Sequence, residues 1–247
     1  MLDWFRRIRK VSQKLTLPSR DASMGRSQVQ LNPSKLTPSP EIYLGQLSYL
    51  TLRASQILAN DANFAPSKEL SAKQTKLSKL YKERHQALAQ LLSTSGGAVD
   101  QEDLHSARID DMLRFTQGVG WHESTIRFFL LWGILEQSAK AVAKGLPTSI
   151  RSKVTANFGP ELEEFCQGAL LEEMKRRPDL APVLAMYGRS VVADALLEVR
   201  NSVDVSKLIE TRSDEDQHVA SFRAIEPFVS ELIAAHTARM DRLGLTA

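Results

Sequence analysis

A histidine that follows a glutamate by three positions is the most suggestive chemistry in the sequence. The spacing occurs twice, in Glu102-Asp103-Leu104-His105 and in Glu215-Asp216-Gln217-His218. On a helix it puts a carboxylate and an imidazole one turn apart on one face. Two such pairs with two further glutamates can hold a carboxylate-bridged pair of iron or manganese ions. Both matches lie in polar, acidic stretches at predicted helix starts, where Asp and Glu satisfy free N–H groups and favour the helix dipole. Helix capping is therefore the better reading of each.

A third histidine, His85, falls on the apolar face of a strongly helical stretch, Leu80-Tyr-Lys-Glu-Arg-His-Gln-Ala-Leu88. Three residues earlier stands Lys82, a cation where a metal site would carry an acid. Glu123 opens the most apolar segment and can serve either as a ligand or at the helix N-terminus. Glu161, Glu163 and Glu164 read as a solvated face. Glu172-Glu173, ahead of Lys175-Arg176-Arg177, reads as an exposed charge run. There is no phosphate-binding glycine loop or dinucleotide fingerprint. The single cysteine, Cys166, excludes an internal disulfide and a cysteine-based zinc site, suits a reducing cytoplasm, and reads as a small core hydrophobe.

The elements that must position these residues are helices, since no segment alternates as a strand would. The periodicity predicts helices over 41–60, 67–93, 121–144, 148–176, 179–202 and 216–242, with a shorter one near 101–116 inside a long connection over 94–119. Gly159-Pro160 should kink or split the 148–176 helix, because proline lacks the N–H and clashes with the preceding turn. Two helices, a long crossover and two more helices is the connectivity of a ferritin-like bundle. The expected fold is all-α, a four-helix bundle over 41–247 with two additional C-terminal helices. Unequal helix lengths and the absence of an internal repeat argue against a solenoid.

The first 40 residues differ in composition. They hold eight Lys/Arg against two Asp, whereas the rest holds 24 against 27 Asp/Glu. A basic tail thus precedes a mildly acidic body that gives no electrostatic reason to expect nucleic acid. Residues 2–16 put Leu2, Phe5, Ile8, Val11 or Ser12, and Leu15 on one helical stripe. With Trp4, Phe5, Arg6, Arg7, Arg9 and Lys10, such a segment suits contact with an anionic membrane surface or a partner. Residues 17–40 read as a flexible linker. No secretory signal and no membrane-spanning run is evident. The expected location is cytoplasmic, at most peripheral to the inner face of the membrane.

From about Leu44 onward the chain resembles the bacterial ferritin-like proteins related to the tRNA 2-methylthio-isopentenyladenosine hydroxylase. The resemblance is carried by "LGQLSYLTL", the His85 region, "WHESTIRFF", "YGRSVVADAL" and "AAHTARMDRLGL". It implies a four-helix core and, in active members, a di-iron centre that hydroxylates with oxygen. Carried over by position, the ligand sites fall on Thr51, Lys82, His85, Glu123, Asn157 and Pro160. Only His85 and Glu123 retain ligand chemistry, so no metal cofactor is expected, and Lys82 is expected to fill the space and pair with Glu123.

Three functions follow. The first is a non-catalytic ferritin-like module acting through its surface, a protein partner or a homo-oligomer. The second is a di-iron or single-metal hydroxylase of the tRNA-modifying type, the one case in which nucleic acid would be a partner. The third is a bundle that binds an apolar small molecule or lipid around Phe128, Phe129 and Trp132.

Overall fold

Ser39 and Pro40 start the first long helix. The Ser39 side chain accepts from the Ile42 N–H, and proline at the first helical position gives up only an N–H that has no partner there. In the computed structural model, which describes residues 31–96, 99–206 and 214–246 and only the backbone of 99 and 214–223, this helix is α1, Pro40–Asp61. A short turn leads to α2, Lys68–Thr94, capped by Ser67 and ended at Gly96, whose φ of 85° suits a residue without a Cβ. Contacts of Ser78 with Ser55 and of His85 with Ser48 show that α1 and α2 run antiparallel.

The crossover carries α3, Asp103–Phe115. It is followed by α4 over 121–142, in three consecutive pieces: Trp121–Arg127, a π-helical turn Phe128–Trp132, and Gly133–Val142. Ile126, Phe128 to Trp132, Ile134 and Leu135 are all buried. A helix apolar on every side must be surrounded, and this one is. The 148–176 segment is split, as expected, into α5, Thr148–Thr155, and α6, Glu161–Arg176. α7, Leu180–Ser202, and α8, Asp214–Arg242, pack against α4 and against each other. No strand occurs among the described residues.

The domain starts earlier than composition suggested. Pro33–Leu36 forms a 3-10 turn, Leu36 is fully buried, and the Thr37 hydroxyl donates to the Val142 carbonyl at 2.6 Å. Residues 31–39 are therefore part of the folded unit, not linker. One apolar residue and one hydroxyl among prolines and serines suffice to dock it. The proposed contact residues Trp4, Phe5, Arg6, Arg7, Arg9 and Lys10 lie outside the described residues.

The crossover is held close to α1 by Gly45. A Cβ added there would lie 2.8 Å from the Gln101 carbonyl oxygen and 3.1 Å from its carbon, both backbone atoms that cannot swing aside. Gly45→Ala should cost about 1–3 kcal/mol through this overpacking. The measurement is a shift of the urea midpoint at unchanged slope.

Candidate functional site

Three of the helices expected to carry a metal centre, together with the break in the fourth at residues 157–158, line a cavity of about 30 Å³. Thr51 of α1, Tyr81 and Arg84 of α2, Trp132 and Glu136 of α4, and Asn157 line it. Thr51 and Asn157, two of the positions carried over from the resemblance, both lie here, and both are neutral side chains that bring no charge to offset a metal ion. The Thr51 hydroxyl donates to the Leu47 carbonyl and the Asn157 amide to the Lys153 carbonyl.

The cation at the centre is Arg84, not Lys82. Lys82 is exposed and does not pair with Glu123. The reason is rotational. Leu77, Tyr81, Arg84, Leu88 and Leu91 form the buried stripe of α2, and residue 82 lies about 100° beyond Tyr81. The signal was present in the sequence, because the stripe Leu77, Tyr81, Leu88, Leu91 leaves a gap that only residue 84 fills. The Arg84 guanidinium bonds Glu161 at 2.8 Å and lies 5.0 Å from the centre of the Tyr81 ring. It also lies against Gly159, where a Cβ would come within 2.7 Å of Nη2. The Gly159-Pro160 break is thus what lets α6 deliver Glu161. Burial raises the Glu161 carboxyl, but bonds to the backbone at its own helix start and to Arg84 outweigh this and hold it below the usual carboxylate value. Glu136 is taken up by Lys140 at 2.8 Å.

The other expected ligands lie elsewhere. Glu123 Oε2 accepts from the Val119 N–H at 2.7 Å and so organises the loop ahead of α4, the helix-start role already open to it. Pro160 is the residue before α6. His85 is half-buried, with Nδ1 3.1 Å from the Ser48 hydroxyl and 3.2 Å from the Ser48 carbonyl. The same hydroxyl donates to Glu102 at 2.6 Å, so His85 Nδ1 carries the proton. Glu102 stands at the cap position of α3 but makes no cap bond. Its side chain joins the crossover to α1 and α2, which corrects the capping expectation. His105 Nε2 has no partner among the described residues. The side chains of Glu215 and His218 lie outside the described ones.

Glu173 corrects a second expectation. It is buried, not exposed, and its carboxylate meets His122 at 3.2 Å and Arg176 at 3.0 Å. Its place follows the α6 stripe of Leu162, Cys166, Leu170 and Glu173. Cys166 is fully buried, and burial pushes its thiol well above the usual value, as befits a core residue. Trp121 donates to Gln74 at 2.6 Å. Two further sites complete the picture. A cavity of about 50 Å³ between α1, α3, α4 and α7 is mostly apolar, with Glu198 at its edge paired to Arg108. A polar cleft of about 550 Å³ contains Arg53, Arg114 and Arg127. Its cations are taken up by Asp110, by Asp111, and by the Leu113 and Thr116 carbonyls.

A family model described as the ferritin-like domain of actinomycetes matches residues 41–212. The chain belongs to this ferritin-like family. No curated protein matches it. The membership agrees with the helix order, the crossover between α2 and α4, and the approach of α1, α2, α4 and the segment ahead of α6 to one interior cavity. A di-metal centre at that point does not fit this ferritin-like chain. The lining offers one carboxylate, already paired, beside a guanidinium. A pair of dications needs several anionic ligands to replace its hydration, and a nearby positive charge opposes it. Among the described residues no three His, Cys, Asp or Glu side chains stand together.

Two histidines give the ferritin-like domain a pH response. His236 is held below its ordinary 6.5 by burial and then by the charge of Arg239. His105 is held below it by burial and then by Arg108. The folded protein keeps both neutral, while the unfolded chain protonates them near 6.5. Their contribution is thus fully present above that pH and is lost as pH falls below it toward the depressed folded values. The melting temperature should fall between about pH 7.5 and 5.5, and His236→Gln should flatten that slope.

Proposed function

We propose that the chain is a ferritin-like module without a working di-metal centre, a structural or interaction protein rather than an oxygenase. The observation that carries this is the chemistry of the bundle centre. Arg84 enters from α2, Glu161 of α6 and the Tyr81 ring receive it, and Glu136 is held by Lys140. An ion pair has taken the place of bridging metals. Removing Glu161 alone would leave the buried Arg84 guanidinium uncompensated, whereas an apolar replacement of Arg84 would leave only a half-exposed carboxylate.

The resemblance to the tRNA 2-methylthio-isopentenyladenosine hydroxylases then reflects shared ancestry of the scaffold, with the ligand positions given over to Thr51, Lys82, Asn157 and Pro160. The hydroxylase reading would require ligands that these residues do not supply, and with it goes the reason to expect tRNA as a partner. The lipid-binding reading finds little support, because Phe128, Phe129 and Trp132 are packed core and the cavity beside Trp132 is only about 30 Å³. The module would act in the cytoplasm through its surface.

The test is the iron content of the full chain, purified from iron-supplemented cells and again after anaerobic loading with Fe(II). The expected result is iron far below one per chain after desalting, with no iron-dependent oxygen consumption. Retention of two irons per chain would defeat the reading. A second outcome concerns the ion pair itself. Arg84→Met should leave stability within about 1.5 kcal/mol of the parent, while Arg84→Ala should lose about 2–4 kcal/mol, most of it packing. Thermal and urea unfolding separate the two.

A further inference from the structure

α7 is unusually apolar for a helix with an exposed face. By length and composition it would even pass as a membrane span, with a mean hydropathy of 1.4, yet only 28% of that window is buried. One face is core: Leu184, Gly188, Val191, Ala195 and Val199 are buried. The opposite face has no partner among the described residues. Val183, Met186 and Leu197 are 44%, 66% and 56% exposed, and Ser190 and Ala193 between them are exposed as well. Positions 183, 186, 190, 193 and 197 advance by three and four residues in turn. That is the seam of a left-handed helix pair, with an apolar or small residue at every contact position.

The N-terminal segment carries a matching seam. Phe5, Ile8, Ser12 and Leu15 follow the same three–four–three advance. Laid parallel to α7, the two seams fall in one register: Phe5 on Val183, Ile8 on Met186, Ser12 on Ser190 and Leu15 on Ala193. The two polar positions then face each other, and the larger Leu15 meets the small Ala193.

The route of the chain favours this occupant over a second copy. The described chain begins at Leu31, and five residues later the Leu36 carbonyl accepts from the Asp204 N–H at 2.9 Å, just beyond the C-terminal end of α7. Residue 193 lies eleven positions before residue 204, about 16 Å along a helix. The fourteen residues 17–30 span about 20 Å as a flexible chain. A tether that matches its span gives an effective concentration near the millimolar range.

We propose that residues 2–16 dock as a helix along the exposed face of α7 of the same chain, in this parallel register. The apolar stripe of the segment is then covered by protein, and its basic face, with Arg6, Arg7, Arg9 and Lys10, is turned outward. The inference is independent of whether the bundle centre binds metal.

Paired cysteines in the full-length protein test it. Ser12→Cys with Ser190→Cys replaces two facing hydroxyls by thiols of similar size, and the native Cys166 is fully buried and does not compete. The pair should form an intrachain disulfide about tenfold faster than Lys10→Cys with Ser190→Cys, which points the first thiol away from the seam. Equal rates, or disulfide-linked dimers as the main product, would overturn the proposal. As a second measurement, Met186→Glu should speed tryptic cleavage at Arg9 severalfold while leaving the helical circular dichroism unchanged. Cleavage at Arg9 that is equally fast in both proteins would overturn it. So would protection of Arg9 only on adding anionic vesicles, which would make the membrane the segment's partner.

Discussion

A guanidinium at the meeting point of four helices is the constraint on which the rest of this domain depends. Arg84 is 8% exposed, on a stripe otherwise made of Leu77, Tyr81, Leu88 and Leu91. Arginine is never discharged at accessible pH, so a buried one must be met by charge and hydrogen bonds. That requirement accounts for several local features. α6 must begin where its first residue, Glu161, reaches Arg84, so the chain breaks at Gly159-Pro160. Gly159 must lack a Cβ, because the guanidinium lies against it. Tyr81 offers its ring face as a further partner. In a metal-binding relative of the same architecture, carboxylates would draw the four helices together through shared cations. Here one cation fixed to α2 does so through one carboxylate on α6.

The same logic repeats wherever a charge enters a buried stripe. Glu173 on α6 is met by His122 and Arg176, and Glu198 on α7 by Arg108. Arg127 on α4 donates to the carbonyls that close α3. The His122–Glu173 and Arg108–Glu198 pairs join elements far apart in sequence, and none of these contacts replaces the apolar core as the source of stability. Their effect is on register. α4 is apolar all round, and a helix of that kind could rotate among its neighbours at little cost in hydrophobic burial. Arg127, and Trp121 bonded to Gln74, fix its N-terminal half. Arg239, which donates to the Gly133 carbonyl and to Gln137, fixes its C-terminal half.

Much of this fold was legible in the sequence because its helix ends are written in local chemistry. Ser39-Pro40, Ser67, Gly96, Gly159-Pro160 and Pro178 fix boundaries through caps, φ angles and missing N–H groups, none of which depends on the tertiary structure. The centre was less legible. Ligand chemistry points to His85, whose partner position one turn earlier is Lys82, and that residue faces solvent. Periodicity alone pointed to residue 84, since the buried stripe has a gap there. Glu173 and Glu198 were hidden for a related reason. Charge suggests a surface, and only the continuation of the apolar spacing through them says otherwise. Residues 31–39 were missed because a short segment needs only Leu36 and Thr37 to dock, too few positions to produce a period.

The π-helical turn in α4 follows from the same competition between register and burial. Phe128 to Trp132 are five consecutive large apolar residues, all buried. A regular α-helix turns each residue by about 100°, and over five such residues it must aim bulky side chains at every neighbour at once. Widening one turn to the i→i+5 pattern changes the angular step, so that the faces before and after the turn can each meet their own partners. Phe128 and Trp132 then pack with their rings tilted by 51° and 5.3 Å between ring centres, and Leu130 lies over Gly188 of α7. The π-helical turn ends at Gly133. Arg239 lies at that point, against a glycine whose added Cβ would come within 2.6 Å of its Nε, and it donates to the Gly133 carbonyl. Two nitrogens of this guanidinium, Nε and Nη1, have no partner among the described residues. The position therefore carries a charge whose burial is only partly compensated, and α8 must be held there by its apolar face: Ile225, Phe228, Leu232 and Met240. A helix that delivers an under-satisfied arginine to the core is retained because the register it imposes on α4 determines which side chains line the bundle centre, Trp132 and Glu136 among them.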